Sequence, residues 1–363
     1  MSEKIFKIAA IPGDGVGPEV IDQGVAVLKE AVRNSDISLE FIFFPWGSEY
    51  CLEKGHMMPD DALETLKGFD AIFLGAIGDP RLPDHLSLEM LLKIRKGFDQ
   101  YINLRPIKLF AGVETPVKLP PGATIDMVVI RENTEGEYSA VGGRFKKGTP
   151  DEVAVQTAVF TRKGTERVIR YAFELARKRA GERGNNPAAM VTNCTKSNAL
   201  NYSMVFWDEV FDAVAAEYPD VRTGKALVDA LTMWMVRKPQ YFDVIVASNL
   251  FGDIITDLGA AIQGGMGVAA GGNINPEKIY PSMFEPIHGS APKYKGKNMA
   301  NPIATIYAGA MMLEFLGAEK EARVVMDAVQ AVLQEGKMRT YDMGGRSTTK
   351  EVGSAVADRI KNT

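Results

Sequence analysis

The sequence predicts an α/β fold divided between two domains. Short apolar runs at 4–11, 70–75 and 243–248 have the length and composition of buried parallel strands. Helix signals follow them, such as Pro18 at a first turn, where its missing N–H removes no hydrogen bond. The chain has 363 residues, and single cores stop growing near about 250–300 residues. We therefore expect two domains.

The first strand leads into a glycine-containing turn, Pro12–Glu19, and then into a helix. The glycines at 13, 15 and 17 follow a G-x-G-x-G spacing, whereas the dinucleotide fingerprint is G-x-G-x-x-G. The next strand, 38–44, ends at Pro45 without an acidic residue placed to bind a ribose. The pattern therefore disfavours an ordinary Rossmann domain.

Composition excludes several classes of function. A net charge of −4 and a pI of about 5.7 disfavour a general binder of nucleic acid or anionic membrane. Cys51 and Cys194 are too few for a disulfide framework, which favours a reduced, cytoplasmic setting. The first strand begins too early for a signal peptide, and no apolar run reaches the length of a membrane span.

The stretch Asp243–Ala261 carries the most specific spacing. A strand passes through Asn249, expected to be an N-cap, into an apolar helix that carries Asp253 and Asp257 one turn apart. Two like charges at i and i+4 destabilise a helix, and a divalent cation such as Mg²⁺ or Mn²⁺ would reverse that effect. A solvated helix face is the alternative that these two residues leave open.

Three arginines are candidates for binding carboxylates. Arg95 lies on an amphipathic helix predicted at 86–98, and Arg105 and Arg131 lie at the ends of extended apolar stretches. Guanidinium groups bind carboxylates in a bidentate manner, so two or three of them indicate a di- or tricarboxylate ligand. Surface ion pairs are the alternative for each arginine taken singly.

Further candidates lie in turns and loops. Tyr138 follows a polar turn, Lys196 precedes a helix, and Asp229 lies at a strand-to-helix junction, where it is a plausible third metal ligand. His288 lies between glycine and proline signals, where ligand contact and a structural role are equally open. The pattern also predicts a loop or hairpin at 142–143, a glycine-rich loop at 264–272, and helices at 165–179, 204–215, 303–315 and 321–334.

Together these motifs resemble the β-decarboxylating hydroxyacid dehydrogenase family, which includes isocitrate, 3-isopropylmalate, tartrate and D-malate dehydrogenases. The similarity runs from GDGVGPE at 13–19 through NLFGDIITDL at 249–258 to FEPIHGSAP at 284–292. The D-malate and tartrate branch is most similar, through GFDQYINLRP at 97–106 and RENTEGEYS at 131–139.

The resemblance implies an isopropylmalate dehydrogenase-like α/β fold, with a mixed sheet shared between two domains. The large cofactor-binding domain would comprise residues 1–100 and 264–363. Residues 101–263 would form the small domain for dimerisation and for substrate and metal binding. The implied assembly is a homodimer with shared active sites.

The resemblance also assigns catalytic and substrate-binding residues. Arg95, Arg105 and Arg131 would hold the substrate carboxylates. Lys196 of the partner subunit would assist removal of the hydroxyl proton, and Tyr138 would protonate the enolate carbon after CO₂ leaves. Asp253 and Asp257, with Asp229 of the partner subunit, would bind Mg²⁺ or Mn²⁺.

The implied cofactor is NAD or NADP. Its contacts would come from Glu285, His288, Gly289, Ser290, Ala291, Lys293, Tyr294, Asn301 and Tyr341. Lys293 and Tyr341 favour NADP, through a 2′-phosphate contact. The arginine that NADP-dependent relatives carry four residues beyond that tyrosine is replaced here by Gly345.

The implied reaction is oxidative decarboxylation, with D-malate giving pyruvate and CO₂ as the best match and tartrate as a further substrate. Glu89 and Leu91 stand where the isocitrate branch has a serine and an asparagine, which argues against isocitrate. Leu91 and Leu92 leave 3-isopropylmalate open. A dicarboxylate-binding protein without catalysis is the alternative from a different class, and a phosphoryl-transfer enzyme is disfavoured because the chain has no G-x-x-x-x-G-K-[ST] loop.

Overall fold

The structure is a computed structural model, and it describes residues 4–185 and 187–362. It divides into two compact units. Unit 1 comprises Met1–Gln100, Lys108–Pro116 and Ala260–Thr363, and unit 2 comprises Tyr101–Ile107 and Val117–Gly259. The sequence-based boundaries placed 108–116 and 260–263 in the small domain. In the structure these segments bind one another within unit 1, through Lys108 N to Gln263 Oε1 (2.7 Å) and Thr115 Oγ1 to the Ile262 carbonyl (2.6 Å).

Strands and helices alternate along most of the chain. The strands are β1 Lys4–Gly13, β2 Ile37–Phe43, β3 Ala71–Ala76, β4 Ile102–Lys108, β5 Asp126–Glu132, β6 Gly136–Phe145, β7 Val153–Val159, β8 Met190–Thr195, β9 Arg222–Leu227, β10 Val244–Ala247, β11 Ala270–Ile274 and β12 Ser282–Pro286. The helices are α1 Gly17–Val32, α2 Ser48–Lys54, α3 Ala62–Leu66, α4 Asp84–Gly97, α5 Arg162–Glu182, α6 Ser203–Ala215, α7 Val228–Arg237, α8 Asn249–Ile262, α9 Ile303–Phe315, α10 Glu319–Glu335 and α11 Thr349–Lys361.

Ten strands of the described chain form a mixed sheet, which confirms the predicted α/β class. Within unit 1 the strand order is β2-β1-β3-β12-β11, parallel throughout except for the antiparallel pair β11–β12. Within unit 2 the order is β4-β5-β10-β8-β9, and the pairs β5–β10, β10–β8 and β8–β9 are parallel. The antiparallel hairpin β6–β7 makes a separate two-stranded sheet.

Burial explains why the strands read as continuous apolar runs. All residues of β3 and β10 are buried, as expected for parallel strands covered on both faces. In unit 1, α9 is also buried over most of its length, which explains why its sequence is apolar on every side. These central elements hold the strand ends at which the candidate residues lie.

Asp243 fixes the start of β10 in unit 2. Its carboxylate is 6% exposed at the residue level and accepts hydrogen bonds from Arg179 Nε (2.9 Å) and from Arg183 Nη1 and Nη2 (2.9 and 2.8 Å). Burial by itself would raise the pKa of Asp243, but the hydrogen bonds from the two guanidinium groups lower the pKa below its ordinary value. The two arginines lie at the end of α5, so this ion pair joins that helix to the central strand.

Of the predicted loop or hairpin at 142–143, the hairpin is confirmed: Gly142 and Gly143 lie in β6 and pair with β7, and the chain reverses after Phe145. Two other local features differ from the predictions. The predicted glycine-rich loop at 264–272 contains a 3-10 turn at Met266–Val268 and the first residues of β11. The C-terminal helix α11 was not predicted, although Thr348 and Glu351 form a capping box at its start.

None of the helices in the described part of the chain is both long enough and apolar enough to cross a bilayer.

Replacing Asp243 by Asn is expected to lower the free energy of unfolding by about 2 kcal/mol at neutral pH, because it leaves Arg183 without its counterion and Arg179 with only the more exposed Asp126. The folded-state pKa of Asp243 is lowered, so its contribution is complete above the ordinary pKa of 3.8 and is lost as the pH falls through the folded-state value. Urea unfolding of wild type and variant at neutral pH and below about pH 4 measures both effects.

Asp126→Asn is the matched control. Asp126 also binds Arg179, at 3.0 Å, but its side chain is 47% exposed, so a loss below about 1 kcal/mol is expected. An Asp243→Asn variant no less stable than this control at neutral pH would contradict the role given to the buried pair.

Candidate active site

Asp253 is the centre of a polar cluster in unit 2. Its Oδ1 accepts hydrogen bonds from Arg105 Nη1 (3.3 Å) and Arg131 Nη1, and its Oδ2 accepts one from the Tyr138 hydroxyl (3.0 Å). These residues come from β4, β5, β6 and α8. Four residues that the sequence analysis assigned to substrate binding, metal binding and catalysis therefore meet in one place.

Second partners fix the two guanidinium groups. Arg131 donates from Nε and Nη2 to Asn249 Oδ1 (3.0 and 2.8 Å). Arg105 donates from Nε to Asn103 Oδ1 (2.9 Å) and from Nη1 to Thr256 Oγ1 (2.5 Å). Both arginine side chains are buried, so their orientation is set by these bonds and not by solvent.

The predicted N-cap role of Asn249 differs from what the structure shows. Asn249 is the first residue of α8, and its side-chain oxygen binds Arg131 while its amide nitrogen donates to the Glu135 carbonyl (3.1 Å). Gly252, one turn further on, gives the arginine room, because a Cβ there would lie 2.5 Å from Arg131 Cγ. The start of α8 is therefore shaped to hold a guanidinium group.

Asp257 lies one turn beyond Asp253 on α8 and is exposed. Desolvation and the negative charge of Asp253 raise the pKa of Asp257, in spite of the nearby positive charges of Arg105 and Arg131. Asp257 has no hydrogen bond or ion pair to another described residue. Two neighbouring carboxylates, one of them destabilised in its charged form, are a donor set that fits a hard divalent cation.

Asp229 and Lys196 form a second polar group in unit 2. Lys196 Nζ lies 2.7 Å from Asp229 Oδ1, and this hydrogen bond lowers the pKa of Asp229. Asp229 lies in the first turn of α7, as the sequence predicted. Within the described residues of a single chain, no three acidic, histidine or cysteine side chains come together as a metal-binding group. The assignment of Asp229 and Lys196 to the partner's site stays a prediction.

Tyr138 is half-buried on β6, with the Arg131 guanidinium carbon 5.5 Å from its ring centroid. Desolvation and the charge of Asp253 raise the pKa of Tyr138. The phenol therefore keeps its proton at neutral pH and can donate it.

In unit 1, Arg95 lies on α4 and is 5% exposed. Its Nη2 lies 3.0 Å from Glu285 Oε1, which also accepts a hydrogen bond from Asn273 Nδ2 (2.7 Å). Arg95 Nε is buried and has no hydrogen-bond partner in the described part of the protein. A buried donor of this kind is costly unless a ligand supplies an acceptor. Glu285, predicted to contact the cofactor, is thus the ion-pair partner of a predicted substrate-binding arginine.

A cavity of about 460 Å³ in unit 1 is lined by most of the residues that were predicted to contact the cofactor. Its volume is within the range of about 300–1,000 Å³ that is usual for small-molecule and cofactor sites. The predicted residues among its lining are His288, Gly289, Ala291, Tyr294, Asn301 and Tyr341. Ser290 lies beside it, with its carbonyl accepting from Val16 N at 2.8 Å.

The N-terminal glycine turn packs against this cavity wall. A Cβ at Gly15 would overlap the Ser290 carbonyl, so a glycine is required there for close backbone contact. His288 is half-buried, and desolvation lowers its pKa, which favours the neutral imidazole. Its Nδ1 lies 2.9 Å from the Gly289 carbonyl, while Nε2 is buried without a hydrogen-bond partner among the described residues. The cavity lining therefore includes a neutral imidazole whose Nε2 has no partner among the described residues.

The charges near the cavity are mixed. Lys293 does not line the cavity; its ammonium lies 4.8 Å from the ring centroid of Tyr294. Asp342, which the sequence analysis did not single out, does line it and accepts hydrogen bonds from Asn301 Nδ2 (3.1 Å) and Thr340 Oγ1 (2.5 Å). The sequence feature that could have identified Asp342 as a lining residue was its position next to Tyr341, a predicted cofactor contact.

Comparison with known proteins extends these observations to the whole chain. Residues 7–356 match the family model described as isocitrate/isopropylmalate dehydrogenase. The chain is 50% identical to a D-malate dehydrogenase [decarboxylating] of Escherichia coli (strain K12), over 98% of this chain and 99% of that protein. It is 49% identical to a probable tartrate dehydrogenase/decarboxylase of Bacillus subtilis (strain 168), with 99% of each chain covered.

Among solved structures, an isocitrate dehydrogenase from Methylococcus capsulatus superposes with a TM-score of 0.86 and 35% sequence identity, covering 98% of this chain and 99% of that one. The fold inferred from the resemblance is therefore confirmed. With a family model that spans nearly every described residue and relatives of about half identity over the full length, this chain belongs to the isocitrate/isopropylmalate dehydrogenase family.

Proposed function

We propose that this protein is a metal-dependent decarboxylating dehydrogenase of a small 2-hydroxy dicarboxylate, with D-malate as the best substrate, tartrate as a further one, and NAD or NADP as the hydride acceptor. The observation that carries the proposal is the meeting of Arg105, Arg131 and the Tyr138 hydroxyl on the carboxylate of Asp253. The names of the relatives, D-malate dehydrogenase [decarboxylating] and tartrate dehydrogenase/decarboxylase, support the same reaction.

Substrate binding depends on the arginines. Arg105 and Arg131 are buried and held by neutral partners as well as by Asp253, so they are pre-oriented to bind carboxylate oxygens. Arg95 keeps the carboxylate-binding role implied by the resemblance, and its Nε donor, which has no hydrogen-bond partner among the described residues, supports that role. Within unit 2, the guanidinium groups of Arg105 and Arg131 suit a ligand that carries carboxylates.

Asp253 and Asp257 would hold the divalent cation, with Asp229 contributed by a second copy of the chain. When bound, Mg²⁺ or Mn²⁺ would supply positive charge beside the substrate hydroxyl and carboxylate oxygens. The raised pKa of Asp257 supports this assignment, because a cation would remove the repulsion between the two carboxylates.

The protein's own groups move the protons. Lys196 of the partner subunit would take the proton of the C2 hydroxyl. The nicotinamide, when bound, would supply the acceptor for the hydride of C2, so that the product of this step would be a β-keto acid. The bond from C3 to its carboxylate then breaks, CO₂ leaves, and the electron pair remains on the three-carbon fragment. Tyr138, which keeps its proton at neutral pH, would protonate C3 to give pyruvate.

The nucleotide would occupy the cavity of unit 1, whose lining includes His288 and Asn301. The choice between NAD and NADP depends on opposing charges. Lys293 favours a 2′-phosphate, whereas the carboxylate of Asp342 in the cavity lining disfavours additional negative charge. We propose that both nucleotides are accepted.

A homodimer is part of the proposal. The hairpin β6–β7 exposes Val141, Phe145, Val153 and Val155 at 47–63%, and α7 exposes Met233 and Val236 at 45% and 42%. Apolar faces of this kind suit burial against a second copy of the chain. In such a dimer, Lys196 and Asp229 of each chain would serve the site of the other chain.

The metal assignment predicts different roles for the two neighbouring aspartates. Without added metal, Asp253→Asn is expected to lower the free energy of unfolding by about 1–2 kcal/mol, because Arg105 and Arg131 lose a counterion that is itself partly exposed. Asp257→Asn is expected to leave the free energy of unfolding unchanged, because the charged form of Asp257 is disfavoured in the folded protein. Thermal unfolding with and without Mn²⁺ should show that either substitution removes the stabilisation by the metal. Mn²⁺ affinity at the wild-type value in both variants would contradict the site.

The proton-transfer roles can be separated by two assays. Lys196→Ala is expected to lose D-malate oxidation by about 10²-fold or more and to retain decarboxylation of added oxaloacetate, whereas Tyr138→Phe is expected to lose both pyruvate-forming reactions. Initial rates with D-malate, tartrate, 3-isopropylmalate and isocitrate and with both nucleotides, in the presence of Mn²⁺, measure substrate preference. Tyr202→Phe, at a side chain that is 94% exposed, is the matched control. Tight malate binding without turnover in the wild type would favour the non-catalytic alternative.

Shared sites predict complementation between inactive subunits. When Lys196→Ala and Tyr138→Phe chains are mixed through partial unfolding and refolding, about a quarter of the wild-type activity is expected, because half of the dimers are mixed and each mixed dimer has one complete site. Activity that stays at the level of the separate variants, although mass spectrometry detects mixed dimers, would show that each chain provides its own Lys196.

A further inference from the structure

Asp208 is a buried acidic residue of unit 2 that the proposed mechanism does not use. It lies on α6, and its side chain is 10% exposed. A carboxylate in such a place is costly unless charged or polar partners compensate for the loss of water. The partners of Asp208 therefore indicate what this residue holds in place.

Those partners come from two strands and from the turn that carries Lys196. Asp208 Oδ1 accepts a hydrogen bond from Asn193 Nδ2 (2.8 Å) in β8, and Oδ2 lies 2.5 Å from Lys225 Nζ in β9. Burial by itself would raise the pKa of Asp208, but hydrogen bonds from Lys225 and from the Ser197 hydroxyl lower it below its ordinary value. Asn193 precedes Lys196 in the chain and Ser197 directly follows it. The carboxylate therefore holds the chain on both sides of the lysine.

Asn193 is also held from a second direction. Trp207, the residue before Asp208 on α6, donates from Nε1 to Asn193 Oδ1 (2.8 Å). Trp207 and Asn193 are both buried, at 0% and 1% exposure. The end of β8 is therefore fixed against α6 by two hydrogen bonds that are shielded from water.

Lys196 leaves this fixed strand end with its backbone in a hydrogen-bonded turn. Its carbonyl accepts hydrogen bonds from Ala199 N and Leu200 N, each at 3.0 Å. Its side chain is 26% exposed, and Nζ lies 2.7 Å from Asp229 Oδ1. A long lysine side chain has many rotamers, so the place of its amine depends on how firmly its backbone is held.

We propose that Asp208 is a positioning residue for Lys196, because its carboxylate fixes the end of β8 and the following turn in the place from which the lysine reaches the substrate hydroxyl. The inference rests on the proposed function, in which each chain's Lys196 takes the C2 proton at the site of the other chain. Asp208 acts only through the lysine. Proton transfer depends steeply on the distance and direction between donor and acceptor, so a small displacement of this turn slows it.

The kinetics of Asp208 variants test the proposal. Asp208→Ala is expected to lower kcat for D-malate oxidation about tenfold with KM for D-malate unchanged, because Arg105 and Arg131 still bind the substrate. Asp208→Asn, which keeps an oxygen acceptor, is expected to lose only about threefold. Decarboxylation of added oxaloacetate, which does not need Lys196, should stay at the wild-type rate in both variants. An equal loss of both reactions would show a merely structural role and overturn the proposal.

A double substitution tests whether Asp208 acts through Lys196. In a Lys196→Ala background, adding Asp208→Ala should leave the residual D-malate oxidation unchanged, because there is no longer an amine to position. A further loss of about tenfold in the double variant would overturn the proposal.

Two further variants complete the kinetic series. Lys225→Gln is the matched control: it removes the exposed counterion of Asp208 and leaves the contacts with Asn193 and Ser197, so the ratio of oxidation to decarboxylation should equal that of the wild type. Ser197→Ala removes one contact at a half-buried position and should lower oxidation about threefold. This variant keeps the proposal testable if Asp208→Ala does not fold.

Hydrogen exchange of the full-length protein gives a readout that does not depend on the reaction. Asp208→Asn is expected to speed amide exchange at residues 196–200 at least about fivefold and to leave α7 unchanged. Unchanged exchange at 196–200 in the folded variant would overturn the proposal. If the wild type oxidises none of the four acids, the proposed function fails, whereas faster exchange in the variant would still support the hold of Asp208 on this turn.

Discussion

The carboxylate of Asp253 is the contact on which the polar centre of unit 2 depends. Arg105 and Arg131 are buried on β4 and β5, and charged groups in such places need a counterion and further hydrogen bonds. Asp253 provides the counterion, and Asn103, Thr256 and Asn249 provide the remaining acceptors. The same carboxylate receives the Tyr138 hydroxyl. One side chain of α8 thus connects three strands.

The proposed reaction would require these groups to exchange partners. In the proposed reaction, the substrate carboxylates would replace Asp253 at the two arginines, and Asp253 would turn to the divalent cation together with Asp257. The net charge of the site would stay the same, because the two substrate carboxylates and the one divalent cation that enter it carry equal and opposite charge. Asp257 does not take part in the network before that exchange, which agrees with its exposure and its raised pKa.

The glycine-rich N-terminal turn has a different physical role from the one its composition suggests. Its spacing departs from the dinucleotide fingerprint, and Gly15 is needed because the Ser290 backbone lies against it. The turn helps to shape a cavity whose polar contacts come mainly from the segments around His288, Asn301 and Tyr341. The same glycines therefore serve backbone packing between distant segments, which a motif search by itself would not reveal.

The sequence by itself determined the strand-and-helix order around Asp243–Ala261, the spacing of Asp253 and Asp257, and the family, because apolar runs, helical periodicity and whole motifs are local properties of the chain. Only the tertiary structure decided that Asn249 binds Arg131, that Gly142 and Gly143 lie in a strand of the hairpin and not in its turn, and that Asp342 lines the cavity of unit 1. Those features depend on side chains separated by tens to hundreds of residues. Packing and charge in three dimensions select the partner of each of these side chains, and a local sequence pattern does not encode that choice.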